Sequence, residues 1–325
     1  MKFLISSDYH LNEKNRLDDF VKNLKIIEKE SQKNKYDYYI VAGDIFDKKH
    51  PTVKELVTFS EHIKNVIAEK IILIRGNHVK ISKDFSALDI FNYDKRVIIC
   101  DEYEIELNKN KKVLITHKSI AEAKVGPKNI NLTGIKIDEL KKYSFVISGH
   151  IHKPQILGEM KNILIPGSIE RVNFGERGED KFYWILDILE AKCTTNLVMQ
   201  KKLPTRKMLK IVYDLENNLR FINDKEQNPK TTMENVNDAI VQLILRGPKS
   251  TVKKVNYDKM MKAFDKVYSL DLKLEYTELP NKVQYSTSCL VMNKENILKQ
   301  LEVYCKNNNL DKDIFKISEK IINHD

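Results

Sequence analysis

Cysteine is scarce in this chain, and its few copies do not cluster. Cys100, Cys193, Cys289 and Cys305 are the four present. No two form a CxxC pair, so neither a zinc knuckle nor a disulfide framework is indicated. Free thiols fit a reducing compartment. Long apolar runs are also missing: none approaches the roughly 20 residues that span a bilayer, and no membrane partner is expected. The opening "MKFLISSDYHL" does not read as a signal peptide, because its short apolar core runs straight into charge. A cytoplasmic protein is the expectation. There is no internal repeat, and low complexity is confined to short Asn/Lys patches such as "NKNKK".

What remains is an ordinary globular composition. The chain has 325 residues, 42% hydrophobic and 31% charged. That length allows one large domain and a smaller one, each with its own core. The net charge of +10 is unevenly spread. Residues 1–200 hold 33 basic and 29 acidic side chains, whereas residues 201–300 hold 19 and 12. The positive excess therefore lies in the later segment and points to a polyanionic partner. A lysine-rich background composition is the plainer reading of the same numbers.

The first 190 residues alternate between two patterns. "KFLISSD", "YDYYIVAGD" and "KIILIRGNH" are continuous apolar strands, as expected where both sheet faces are covered. Between them, "RLDDFVKNLKIIEKES" spaces Leu17, Phe20, Val21, Leu24 and Ile27 at helical intervals, and "TVKELVTFSEHIKNVI" is a second helix. After residue 95 strands dominate: "RVIIC", "YEIEL", "KVLITH", "FVISGH", "ILIPGS" and "FYWILDI". Two packed sheets flanked by helices accommodate this series. A boundary falls near "EAKCTTNLVMQKKLPTRK". Beyond it, "KMLKIVYDL", "DAIVQLILRG" and "LDLKLEYTEL" read as strands. "NYDKMMKAFDKVY" reads as a helix with Met260, Met261, Phe264 and Val267 on one side. Two short amphipathic helices follow, "KENILKQLEVYC" and "KDIFKISEKII".

The strand ends carry the chemistry. Asp8 and His10 follow the first strand, Asp44 the second, and Asn77 and His78 the third. His117 follows "KVLIT", and "SGHIH" presents His150 and His152. Carboxyl ends of strands are where functional groups collect in α/β sheets. Five of the eight histidines lie in these motifs; His50, His62 and His324 do not. Imidazole, carboxylate and amide oxygen together suit Mn²⁺, Fe²⁺ or Zn²⁺, and the absence of thiolate argues against a structural zinc site. The set is too large for one ion. Two ions about 3.5–4 Å apart, sharing Asp44, use all of it, with His78 left over as an acid or electrophile. Alone, "DxH" and a "GD" turn recur by chance; "GNH" is somewhat more specific, because Gly-Asn forms a tight turn, and "GHxH" is more specific still. The order DxH, GD, GNH, H, GHxH, each at a strand end, is not a chance pattern.

This order resembles the signature of the calcineurin-like metallophosphoesterases over residues 1 to about 190. "GDIFD" and "IPGSIERVNFGERGEDKFYWILDI" are similar to the SbcD branch of the DNA double-strand-break repair nucleases, and "LPTRKMLKIVYDL" resembles the entry into that branch's capping domain. The resemblance implies a four-layer α/β/β/α metallophosphoesterase core over residues 1–192. A small α/β DNA-capping domain over 193–285 follows, then a C-terminal helical segment over 286–325. It implies that Asp8, His10 and His152 hold one metal, that Asp44 bridges, and that Asn77, His117 and His150 hold the second. His78 contacts the scissile phosphate and assists the leaving group. Mn²⁺ is the implied ion and DNA the implied substrate, cut as an exonuclease on duplex ends and an endonuclease on single strands. The implied partners are an SMC-like ATPase of the SbcC type, docking on the helices after residue 293, and a second copy of the chain, meeting residues 51–67 and 84–93. A bacterial or phage-infected cytoplasm follows. Two departures stand out: Val79 occupies the place of a usual Asp, which implies a lost contact behind a metal-site histidine, and "KSIAEAKVGPKNINLTG" is idiosyncratic. Another calcineurin-like phosphatase or phosphodiesterase is the alternative that the core motifs permit. A non-catalytic scaffold is disfavoured, because all seven ligand positions are filled.

Overall fold

The computed structural model describes residues 1–78, 86–108, 111–125, 133–188, 197–227 and 236–277. Val79, the two helices expected after residue 293 and the middle of the idiosyncratic segment lie outside these residues. In chain order the first sheet is built from β1 (Lys2–Ser6), β2 (Tyr38–Val41), β3 (Lys70–Ile74) and β4 (Val97–Cys100). Helices α1 (Leu17–Lys33) and α2 (Val53–Asn65) make the crossovers. β1 to β4 run parallel. The second sheet takes β5 (Tyr103–Asn108), β6 (Lys111–Thr116), β7 (Phe145–Ser148), β8 (Gln155–Leu157) and β9 (Ile163–Ile165). Its strand order is β5-β6-β7-β9-β8, with β6, β7 and β9 parallel. The chain then returns to the first sheet with β10 (Lys181–Asp187) and β11 (Leu197–Leu203), giving the order β11-β10-β1-β2-β3-β4.

The continuous apolar runs are explained by alternation across two buried faces. Phe3 and Ile5 of β1, Ile40 of β2, and Ile72 and Ile74 of β3 point between the sheets. There they meet Val113, Ile115, Phe145, Ile147 and Leu164. Leu4, Tyr39, Val41, Ile71 and Leu73 point the other way, onto Phe20, Leu24 and Ile27 of α1 and Phe59 and Ile63 of α2. The expected stripe of α1 is the buried one. Val21, at its margin, is only partly buried. α2 starts at a capping box: Thr52 Oγ1 accepts from Glu55 N at 3.3 Å, and Glu55 Oε2 accepts from Thr52 N at 2.9 Å. The outer face of the second sheet is covered by Ile120, Leu140, Tyr143 and Ile151. Among the described residues, one four-residue helix, α3 (Ile137–Leu140), lies in that layer.

A third sheet follows. It contains β12 (Met208–Asp214), β13 (Leu219–Ile222), β14 (Lys225–Gln227), β15 (Ile240–Gly247) and β16 (Ser269–Tyr276), in the order β14-β13-β12-β15-β16. Its core includes Leu209, Ile211, Leu243, Leu245, Val252 and Phe264. The three long strands were legible in the sequence; the β13–β14 hairpin was not. Two short helices, α4 (Lys249–Val252) and α5 (Tyr257–Lys262), lie between β15 and β16. The expected helix, α5, is shorter than its periodicity suggested, and Met261 is exposed. Phe264 still reaches the core, because i→i−3 hydrogen bonds from Ala263 N and Phe264 N tighten the chain past the helix end. β11 lies beyond the boundary expected near residue 192, yet it forms the edge of the first sheet. Residues Met1–Tyr276 make one compact unit. Among the described residues, no helix is long and apolar enough to cross a membrane.

The packing between the two sheets yields a direct test. Trp184, the single tryptophan, is 3% exposed in this layer, and its Nε1 donates to Pro166 O at 2.9 Å. Ile72 is fully buried in the same layer. Ile72→Ala is expected to lower stability by about 2–5 kcal/mol, read by Trp184 fluorescence in urea unfolding. A loss below about 1 kcal/mol would mean that the sheets close over the gap.

Candidate metal centre

β1, β2 and β3 are parallel, and so are β6 and β7, so their carboxyl ends open at one edge. All eight residues singled out in the sequence are delivered there. His10 Nε2 is 3.0 Å from His152 Nε2 and 3.9 Å from Asp44 Oδ2. His117 Nε2 is 3.0 Å from the same Asp44 Oδ2 and 3.2 Å from Asn77 Oδ1. Asn77 Oδ1 is also 3.2 Å from His150 Nδ1. Asp8 Oδ1 accepts from His150 N at 3.0 Å, which ties the first strand of one sheet to the third of the other. The His78 ring stands edge-on to His10, with centroids 4.9 Å apart.

The backbone is bent to reach this arrangement. Asp8, His10, Asp44 and His150 all have positive φ, between 43° and 78°. Asp and His tolerate that region better than most residues, but four in one site is a concentration typical of functional centres. The glycines of the motifs serve close approach. A Cβ at Gly76 would overlap Asp44 Oδ1, and one at Gly43 would overlap the His117 ring.

Behind four of the candidate ligands stands a second group that aims each one. Ser7 Oγ donates to Asp8 Oδ2 at 2.6 Å. His117 Nδ1 donates to Ala42 O at 2.7 Å, which turns Nε2 toward the site. Asp47 Oδ1 is 3.5 Å from His10 Nδ1, and Asp47 O accepts from His78 Nδ1 at 2.9 Å. Glu176 Oε1 accepts from His152 Nδ1 at 2.9 Å, while Lys181 Nζ, fully buried, holds Glu176 Oε2 at 2.7 Å. Tyr9, between Asp8 and His10, turns its side chain into the helix side of the sheet. Its hydroxyl meets Ser6 Oγ at 2.5 Å and the Tyr39 hydroxyl, and Tyr39 donates to His62 Nε2 at 2.8 Å. His62 Nδ1 donates to Glu28 Oε1 at 2.9 Å. Burial pushes His62 down despite Glu28, which keeps the imidazole neutral. Ser7, Asp47, Glu176, Lys181 and His62 were not assigned roles from the sequence. Asp47 and Glu176 stood inside quoted motifs; His62 carried no local signal, because its partners are 23 and 34 residues away.

The charges are strongly coupled. Burial opposes ionising Asp44, but the hydrogen bond and charge of His117, the charge of His10 and the His78 N–H hold its carboxyl at about 2. Burial likewise opposes charging His117, yet Asp44 and Asp8 lift it to about 9. His152 is raised against its burial by Glu176 and Asp8, and His150 is lowered by burial and by the neighbouring His117. Glu176, despite burial, is held at about 2 by His152 and Lys181.

These donors fit divalent cations. Three groups of ligand atoms lie within 4.8 Å of one another: Asp8, His10 and His152; His10, Asp44 and His78; and Asp44, His117 and His150. Asp44 recurs in two of them. Two imidazole nitrogens 3.0 Å apart share at most one proton, and an all-N/O set suits Mn²⁺, Fe²⁺ or Zn²⁺. A cleft of about 300 Å³ opens beside them, lined by His150, His152, Lys153, Asn173 and Glu176.

Known proteins share this arrangement of motifs. The model of the calcineurin-like phosphoesterase superfamily domain matches residues 1–190. The chain belongs to this superfamily. Calcineurin-like phosphoesterases are metal-dependent hydrolases, and the clustered donors agree with that chemistry. Two curated relatives share weaker similarity. The DNA double-strand break repair protein Mre11 of Archaeoglobus fulgidus is 26% identical over 230 residues, 54% of this chain and 52% of that protein. The SbcD component of the nuclease SbcCD of Staphylococcus epidermidis is 22% identical over 248 residues, 58% of this chain and 66% of that protein. The chain thus matches about half to two thirds of these relatives' lengths.

The charge coupling sets a pH dependence. A nitrogen must be deprotonated to bind a metal, so a proton held at about 9 on His117 competes with the ion. Divalent-metal affinity is therefore expected to fall by about tenfold per pH unit below that value for each proton displaced. Calorimetric titration in buffers of different ionisation enthalpy would register the released proton. An affinity unchanged between pH 7 and 9 would refute the coupling.

Proposed function

We propose that the chain is a Mn²⁺-dependent DNA nuclease, the hydrolytic subunit of an SbcCD-type DNA end-processing complex. The observation that carries this reading is the convergence of Asp8, His10, Asp44, Asn77, His78, His117, His150 and His152 on one edge. The names of the two relatives support DNA as the substrate. Asp8, His10 and His152 would hold one ion, Asn77, His117 and His150 the other, with Asp44 shared. Two such ions neutralise charge developing on the attacking and leaving oxygens of an in-line phosphoryl displacement. The protein's own part is to orient. His78 donates Nδ1–H to Asp47 O; in the imidazolium form, with a second proton on Nε2, it would pass that proton to the departing oxygen. Lys153, at the mouth of the cleft, and the basic residues of 201–300 would hold phosphates of the backbone.

The same reading includes a second copy of the chain and an SMC-like ATPase of the SbcC type. The face expected to meet the second copy exposes apolar side chains among charged ones such as Lys54, Glu61 and Lys64. Val53 and Val57 of α2, Ile67, and Ile90 and Tyr93 of the 3₁₀ helix Ala87–Tyr93 are 77, 51, 56, 48 and 63% exposed. Ser60 and Tyr93 hydrogen-bond across it at 2.8 Å. A phosphatase acting on small phosphomonoesters is the competing reading within the superfamily, and the positive excess beyond residue 200 disfavours it.

The test is incubation with end-labelled linear duplex DNA in Mn²⁺, beside a His78→Asn variant. The wild type is expected to shorten the duplex, and the variant to lose about 10²–10⁴-fold in rate while binding DNA normally in EDTA. Binding should also weaken steeply between about 50 and 300 mM salt, roughly linearly on log–log axes. Turnover of a small phosphomonoester with no action on DNA would select the phosphatase reading.

A further inference from the structure

A second cleft lies away from the metal donors, where the first sheet meets the third. It has a volume of about 240 Å³ and is lined by Lys14, Arg16, Phe174, Met208, Ile240 and Tyr268 among others. Asn173 lines both this cleft and the one beside His150 and His152. A strand lying across Asn173 therefore passes from one to the other.

Two features mark the second cleft as built rather than left over. The first is a propped aromatic shelf. Asp19 grips Arg206 with two hydrogen bonds, both 2.7 Å, and Arg206 also pairs with Asp238. The guanidinium so held lies 3.9 Å from the centroid of the Tyr268 ring. One face of Tyr268 is thus backed by a fixed cation, while the residue remains 46% exposed. Phe174 stands among the lining residues on the opposite chain segment. The second feature is a buried arginine that anchors the cleft floor. Arg16 is 8% exposed and has positive φ; its Nη2 donates to Arg171 O, and its buried Nη1 faces two carboxylates. Its nearest acids, Asp19 and Glu170, are 3.6 and 3.8 Å away, and Asp19 already serves Arg206. Lys14 adds an exposed charge at the rim.

Aromatic lining residues with an exposed lysine match a nucleotide: a base against Phe174 and Tyr268 and a phosphate on Lys14. The volume is below the roughly 300–1,000 Å³ of sites for drug-sized ligands, so it suits one base rather than two. Duplex DNA keeps its bases stacked and cannot supply one. We infer that this cleft is a subsite for a single unpaired nucleotide of the substrate strand, next to the nucleotides at the metal centre. The inference rests on the proposed reading of that centre as a nuclease. The Asp19–Arg206–Tyr268 stack gives the subsite its shape, and it ties α1 to the third sheet at the same time.

The test separates the subsite from the reading beneath it. Binding of a fluorescein-labelled single-stranded decathymidine is measured by anisotropy in EDTA, with no cleavage involved. Phe174→Ala and Tyr268→Ala are each expected to weaken binding by about tenfold, the loss of one stacked base. Tyr268→Phe keeps the ring and is expected to bind as the wild type does. Lys14→Ala, at an exposed position, should reduce the slope of log affinity against log salt by about one. A decamer of abasic nucleotides should bind the wild type as weakly as decathymidine binds the two alanine variants. Unchanged affinity in both alanine variants, or equal affinity for abasic and thymidine strands, overturns the subsite. Mn²⁺-dependent cleavage of the same strand by the wild type is scored separately. Cleavage with indifferent rings removes the subsite and leaves the nuclease; ring-dependent binding without cleavage removes the nuclease and leaves a single-strand binding site.

Discussion

Asp44 is the residue on which the site depends. It is 2% exposed, and a buried carboxylate survives only with compensating partners. Here they come from three strand ends: His117 on one oxygen, His78 N–H on the other, and His10 nearby. Gly76 packs so closely that no side chain is possible there. The carboxylate draws the histidines together, and they in turn hold its ionisation at about 2. Such a cluster is expensive to bury without cations and is the reason for the dense ring of polar groups around it.

That ring extends further than the candidate ligands. Glu176 and Lys181 lie behind His152, Asp47 behind His10 and His78, and Ala42 O behind His117. Tyr9 anchors the Asp8–His10 turn to Tyr39, His62 and Glu28 on the far side of the sheet. The turn between two left-handed residues is therefore fixed from both faces. Rigidity of this kind is what positions ligands within the narrow tolerances that catalysis requires.

Ion pairs join the third sheet to this core. Arg206, from the short connection between β11 and β12, reaches Asp19 on α1, and Arg177 pairs with Asp224. The Arg206–Asp19 pair is buried and costs much to break once one partner is removed, whereas Asp224 is half exposed. The Arg206 pairs hold the surface around the second cleft in a defined shape.

The sequence by itself determined the local elements and the identity of the candidate ligands. Unbroken apolar strands announced a sheet covered on both faces, the i, i+3, i+4 spacing of Leu17, Phe20, Leu24 and Ile27 announced α1, and each chemically competent residue stood just past a strand. Those signals are local, and periodicity reports them. What only the tertiary structure decided is which groups stand behind the ligands and where the sheets end. Glu176 meets His152 across 24 residues, Asp8 meets His150 across 142, and Arg206 meets Asp19 across 187. β11 joins the first sheet because Val198 and Met199 pair with Leu186 and Ile185, a register no local pattern encodes. Pairings at such separations arise from the parallel stacking of strands and the closure of one sheet on the other. They are properties of the folded chain, and they turn a list of histidines and aspartates into a site.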